Sequence, residues 1–169
     1  VVVSGFRRIA ACRALNWSAI SVRILDARTP LSDCARYAIA ANALERPLNL
    51  IEQSRALCLL TKHCPPDSER FSVSAAELGL PDNPVMIEKL TALADVPPAI
   101  AQGVLSGVLG IAMAMDLAKL DHLTGESLAI LFNDLKLSLN KQREILTLLT
   151  EIAIRESVSL GDILSAQDI

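Results

Sequence analysis

Gly5, Arg7 and Arg8 form the most suggestive local site in the chain. A strand that ends in glycine exposes amide hydrogens where the next helix begins, and guanidinium groups add fork-shaped donors matched to phosphate oxygens. That combination points to a phosphate. A plainer reading stands beside it, in which Gly5 only turns the chain and the arginines cover a basic surface. A second polar group, Asn42, Glu45 and Arg46, precedes PLNLIE. An asparagine amide can touch a phosphate or a metal-bound water, and Glu45 can pair with an arginine. Helix capping and solvation account for the same residues.

The remaining candidates divide into weak metal or nucleophile signals and one nucleic-acid signal. His63 lies near Cys58 and Cys64, but the ligands are too few and too oddly spaced for a zinc motif. His122 is isolated in LDHLT, and Met113 and Met115 read as adaptable core packing. No serine, cysteine or histidine has both a nucleophile and a base at a usable spacing. SAAELGL, the turn PDNP and VMIEKLTALA, by contrast, spell two short helices with a tight connection, the helix-turn-helix arrangement. Its second helix offers Asn83, Met86, Glu88, Lys89 and Thr91 near the start, where side chains meet base edges. Only one of these is cationic, so weak or assisted binding is expected. A helical hairpin used only for packing is the competing reading.

The elements that must carry these residues follow from periodicity. Residues 1 to 4 read as the end of a buried strand, and Gly5 then turns the backbone into a helix over about 6 to 15. Ile20, Val22 and Ile24 alternate with Ser21 and Arg23, the period of a second strand with one buried face. Thr29 with Pro30 opens a helix near 30 to 44, and Asn49 with Glu52 is a capping box for a helix near 50 to 63. The polar connection CPPDSERFS suggests a boundary, dividing the chain into residues 1–64 and 65–169, with the helix-turn-helix near 73–94. Downstream only helical patterns occur. A helix from Pro98 to about Val104, a longer one through Met115 to Leu120, one capped by Thr124, and one near 140 to 156 are expected. The last of these places Ile145, Leu148, Leu149 and Ile152 on one face. The expected fold is therefore mainly α, with a short α/β remnant followed by an all-helical part.

Composition bounds the class. The chain has 169 residues, 51% of them hydrophobic, 21% charged and only 3% aromatic, which excludes disorder and cysteine scaffolds and implies an aliphatic core. Four cysteines without CxxC spacing, and no secretory signal, favour a reducing interior. Opening on VVVSG without a methionine reads as an excised fragment. The net charge of −3 divides into +4 over residues 1–70 and −7 over residues 71–169, so any nucleic-acid contact is expected to be local. Val96 to Met115 carries no charge, yet its prolines, glycines, Gln102 and Ser106 favour two short buried helices over a membrane span.

Taken in order, three segments carry a family resemblance. VVVSGFRRIAACRAL is similar to a strand, GERR-type box and helix, ANALERPLNLIEQSRAL to ENxQR and LNPxEEA patterns, and SAAELGLPDNPVMIEKLTALADVPP to a central helix-turn-helix with a proline-marked exit. The chain thus resembles the ParB/Spo0J family of bacterial chromosome and plasmid partition proteins over about residues 1 to 125. GVLSGVLGIAMAM is similar to that family's small-residue-rich helix junction.

The resemblance implies a domain that binds cytidine triphosphate (CTP) with magnesium, followed by a reader of a short palindromic DNA site. Nucleotide binding in that family closes a dimer into a sliding clamp. Carried over by position, Gly5, Arg7 and Arg8 match the phosphate box and Asn42 the asparagine of the second box. Asn83, Met86, Lys89 and Thr91 fall in the DNA-reading helix. Phe6 and Ala41 stand where the family has glutamates, and Ala10 where an arginine occurs, so efficient hydrolysis is not expected. The expectation is sequence-specific binding of double-stranded DNA by a cytoplasmic homodimer associated with nucleoid or plasmid, with a partition ATPase as a further partner and no membrane. CTP and magnesium would act in the intact protein, and this chain alone would require neither. A CTP-hydrolysing switch and a noncatalytic protein-interaction module are the alternatives.

Overall fold

The computed structural model describes residues 1–43 and 46–165, and among them every regular element is a helix. In chain order these are α1 (Phe6–Ala14), α2 (Leu31–Ala43), α3 (Leu50–Thr61), α4 (Glu69–Glu77), α5 (Pro84–Thr91), α6 (Pro98–Leu105), α7 (Ile111–Ala118), α8 (His122–Asp134), α9 (Leu139–Glu156) and α10 (Leu160–Ser165). The mainly α expectation holds. The α/β remnant does not: neither residues 1–4 nor residues 20–24 form a strand, and Val22 and Ile24 are exposed. The physical reason is that a strand exists only in a ladder, and alternation along one segment supplies no partner for its amides and carbonyls.

Local signals set most helix starts. Asn49 and Glu52 exchange the two bonds of a capping box, each at 2.9 Å, and open α3. Ser68 and Ser138 accept from the third residue onward and open α4 and α9. At α8 the cap is Asp121, whose carboxylate accepts from the Thr124 amide at 3.0 Å. Thr124, expected to cap this helix, is instead a buried residue of its first turn. An ionised aspartate satisfies the free amides of a helix start and favours its positive end, so it takes the position ahead of the threonine.

The chain divides into two compact units. The first comprises residues 1–48 and 56–87, the second residues 49–55 and 88–169, so the division falls within α3 and within α5. In the first unit the buried apolar residues include Ile39, Leu57, Leu60, Phe71, Ala75, Leu80 and Ile87. No residue of α1 is buried.

In the second unit α6, α7 and α8 pack on one another, α10 on α8 and α9, and α9 on α7. Ile100, Met113, Leu117, Leu128, Ala129 and Phe132 fill the interior, which confirms an aliphatic core with few rings. α7 and α8 approach so closely that a methyl group at Gly125 would lie 2.5 Å from the Leu117 carbonyl oxygen. Gln142, fully buried, donates from Nε2 to the carbonyls of Val108 and Leu137 and so ties α9 to the two turns beside it. No helix among the described residues is long and apolar enough to cross a membrane.

Candidate functional site

The helix pair singled out above consists of α4, the connection 78–83 and α5. Asn83 builds the start of α5: its Oδ1 accepts from the amides of Val85 at 3.0 Å and Met86 at 3.2 Å. The side chain is therefore half committed to capping, and its Nδ2 group is the part left to meet a ligand. Ile87 and Leu90 are buried, while Asn83, Met86, Glu88 and Lys89 are exposed. That split is the helical period at work, with the buried pair three residues apart on one face. Thr91 is half-buried and its hydroxyl donates to the Glu88 carbonyl at 3.0 Å.

Two residues that sequence reasoning passed over hold the far end of α5. Ser54 is fully buried and its hydroxyl donates to the Leu90 carbonyl at 2.6 Å. Arg55 donates from Nε to the Ala94 carbonyl at 3.3 Å. Both occupy the first turns of α3 within the second unit, and both satisfy carbonyls at the C-terminal end of the α5 segment, where a cation is also favoured by the helix dipole. Neither carries a sequence signal, because the partners are 36 and 39 residues away.

At the other end of the first unit, Gly5 caps α1 in the left-handed region, with φ 89° and ψ 20°. The first helical bond runs from the Ile9 amide to the Gly5 carbonyl at 3.0 Å, so the amides of Phe6, Arg7 and Arg8 have no intrahelical acceptor. The Arg8 guanidinium folds over this start, with Nη2 3.6 Å from where a Gly5 methyl group would lie. Free amides, a helix N-terminus and an arginine therefore converge, which suits a phosphate oxygen. Asn42 is exposed in the last turn of α2, and its Nδ2 donates to the Ala38 carbonyl at 2.8 Å. No hydrogen bond joins Asn42 to the Gly5–Arg8 segment among the described residues. Arg46 donates from Nη1 to the Pro47 carbonyl at 3.1 Å, and Glu45 lies outside the described residues.

The other candidates resolve into structure. Cys64 is buried with Sγ 3.4 Å from the Ser68 hydroxyl, and no group of three or more His, Cys, Asp or Glu among the described residues is placed to hold a metal. His122 is exposed in the first turn of α8 with Nδ1 3.6 Å from Glu126. Met113 is a core residue and Met115 is half-buried.

Two clefts stand out among the described residues. One of about 370 Å³ in the second unit is bordered by Asp95, Pro97, Pro98, Asp121 and His122. Hydrogen bonding from Thr124 holds the Asp121 carboxyl below the ordinary carboxylate value. The other, of about 210 Å³ in the first unit, holds the ion pairs of Arg36 with Glu77 and Asp33, and Asp33 also accepts from Arg70 at 2.9 Å. These charges satisfy one another at the surface. Neither cleft sets a nucleophile beside a base.

No protein-family model, no curated protein and no solved structure matches the chain.

Proposed function

We propose that the chain is a ParB-like DNA-binding protein that reads a double-stranded site with the exposed side of α5. The observation that supports this most is that on a short helix preceded by α4, Ile87 and Leu90 are buried while Met86 and Lys89, and Asn83 at the helix start, are exposed. These exposed residues offer an amide that bonds purine edges, an apolar contact for a thymine methyl and one cation for a backbone phosphate. Ser54 and Arg55 would act as positioning residues, because they fix the end of the segment whose start must enter the groove.

In the intact protein the proposal includes a homodimer gated by CTP, a partition ATPase as partner, and a cytoplasmic place on nucleoid or plasmid. The α1 start fits the phosphate part of that nucleotide, with Gly5, Arg7 and Arg8 as its donors. The metal part lacks a carboxylate, because Ala41 stands where the family has a glutamate, and Asn42 with its Nδ2 bonded within α2 offers a single neutral oxygen. No hydrolytic step is derived.

A protein-interaction module is the second reading, favoured by the exposure of Phe6, Trp17, Val22 and Ile24. Fluorescence anisotropy with a selected duplex separates the two. Lys89→Ala is expected to weaken binding about tenfold across all sequences. Asn83→Ser, which retains a capping hydroxyl, is expected to relax preference at one base pair by about 1 kcal/mol, since only Nδ2 is left to bond a base. Binding unchanged by both substitutions would remove α5 as the reader and leave the interaction module.

A further inference from the structure

α9 carries a feature that DNA reading does not use. Six of its residues, Lys141, Ile145, Leu148, Leu149, Ile152 and Glu156, fall within an arc of about 100° on the helix surface. Within the second unit α9 packs on α7 and α10, and yet its only buried residue is Gln142. Ile145, Leu149 and Ile152 are half-buried, and Leu148 is 50% exposed. The stripe is therefore only part covered.

The order of the six residues is symmetric. Lys141 with Glu156, Ile145 with Ile152, and Leu148 with Leu149 are each centred on the same Leu148–Leu149 bond. Apolar residues mirror apolar ones about that point, while the two ends carry opposite charges. A parallel arrangement would set lysine on lysine and glutamate on glutamate. An antiparallel two-fold arrangement sets Lys141 of each copy against Glu156 of the other and repeats every apolar contact twice.

We propose that α9 is a self-association surface, on which a second copy of this chain docks with its own α9 antiparallel, centred on Leu148 and Leu149. The internal pairs of Lys141 with Glu144 at 2.7 Å and of Arg155 with Glu156 at 2.9 Å are exposed and exchange partners at little cost. One helix face is smaller than the roughly 800 Å² per partner of a standard interface, so the dimer forms at a Kd on the order of 10–100 µM. This inference is independent of DNA binding, and its test contains no DNA.

Sedimentation velocity of the chain over that concentration range reads it directly. The unaltered chain is expected to shift from monomer to dimer, and Leu148→Glu to remain monomeric with the same helical circular dichroism. Lys141→Glu and Glu156→Lys alone each weaken association about tenfold, since each loses two pairs and gains two repulsions. The double variant restores it to within about threefold of the unaltered chain. Both changes suit the helix dipole, so they leave α9 itself intact. A chain that stays monomeric throughout, a dimer indifferent to Leu148→Glu, or charge reversals without mutual rescue each overturn the proposal.

Discussion

Ser54 shows how much one hydroxyl can carry. It is fully buried and donates to the Leu90 carbonyl, which also accepts from the Leu93 amide at 2.8 Å, so Ser54→Ala removes one of two bonds there at a cost of about 0.5–1.5 kcal/mol. Urea denaturation is expected to show a lower midpoint with an unchanged slope, and an unaltered midpoint would mean that water replaces the bond. Two carboxylates make a pH prediction. Hydrogen bonding from Thr124 lowers the pKa of Asp121, and hydrogen bonding from Ser159 lowers that of Asp162, each from an ordinary value of 3.8. A depressed folded-state value means that their contribution to stability is fully present above about pH 4 and is lost as pH falls through the folded-state value. Replacing both by asparagine should flatten that acid limb in denaturation series from about pH 5 to about pH 2, and an unchanged limb would assign it to other carboxylates. The Asn49–Glu52 capping box was legible in the sequence because its two residues lie within one turn. Ser54 was not, because a serine inside a helix carries no trace of a distant carbonyl.

At the scale of elements, what was legible was whatever a single segment decides alone. The starts of α3 and α5, and the pair of short helices around PDNP, follow from caps and period. The two expected strands failed because alternation at Ile20, Val22 and Ile24 describes a face, and a strand also needs a neighbour to share its hydrogen bonds. Gly125 marks a second property hidden from the sequence, the close crossing of α7 and α8. Gly125→Ala would set a methyl group against the Leu117 carbonyl, and because backbone must shift to admit it, a loss of about 2–3 kcal/mol is expected. Thermal denaturation checks this. A wild-type midpoint would show that the crossing relaxes freely.

For the molecule as a whole, the charge pattern constrains the account more than the helix count does. A chain of net −3, negative over residues 71–169, has little sequence-independent attraction for a polyanion. If the proposed DNA reading holds, specific contacts at α5, aided by arginines of residues 1–70, would supply the affinity, and the salt dependence is expected to be shallow, equivalent to only about two or three phosphates. The pair of short helices around PDNP was legible because turn chemistry and helical period are local. The bonds of Ser54 and Arg55 to the end of the α5 segment were not, because they join segments far apart in the chain. The most direct measurement is selection from random duplex DNA by the intact protein, with and without CTP. The account predicts enrichment of a short palindromic site, sharpened by the nucleotide and relaxed at one base pair by Asn83→Ser. Recovery of a pool indistinguishable from the input under both conditions would contradict it.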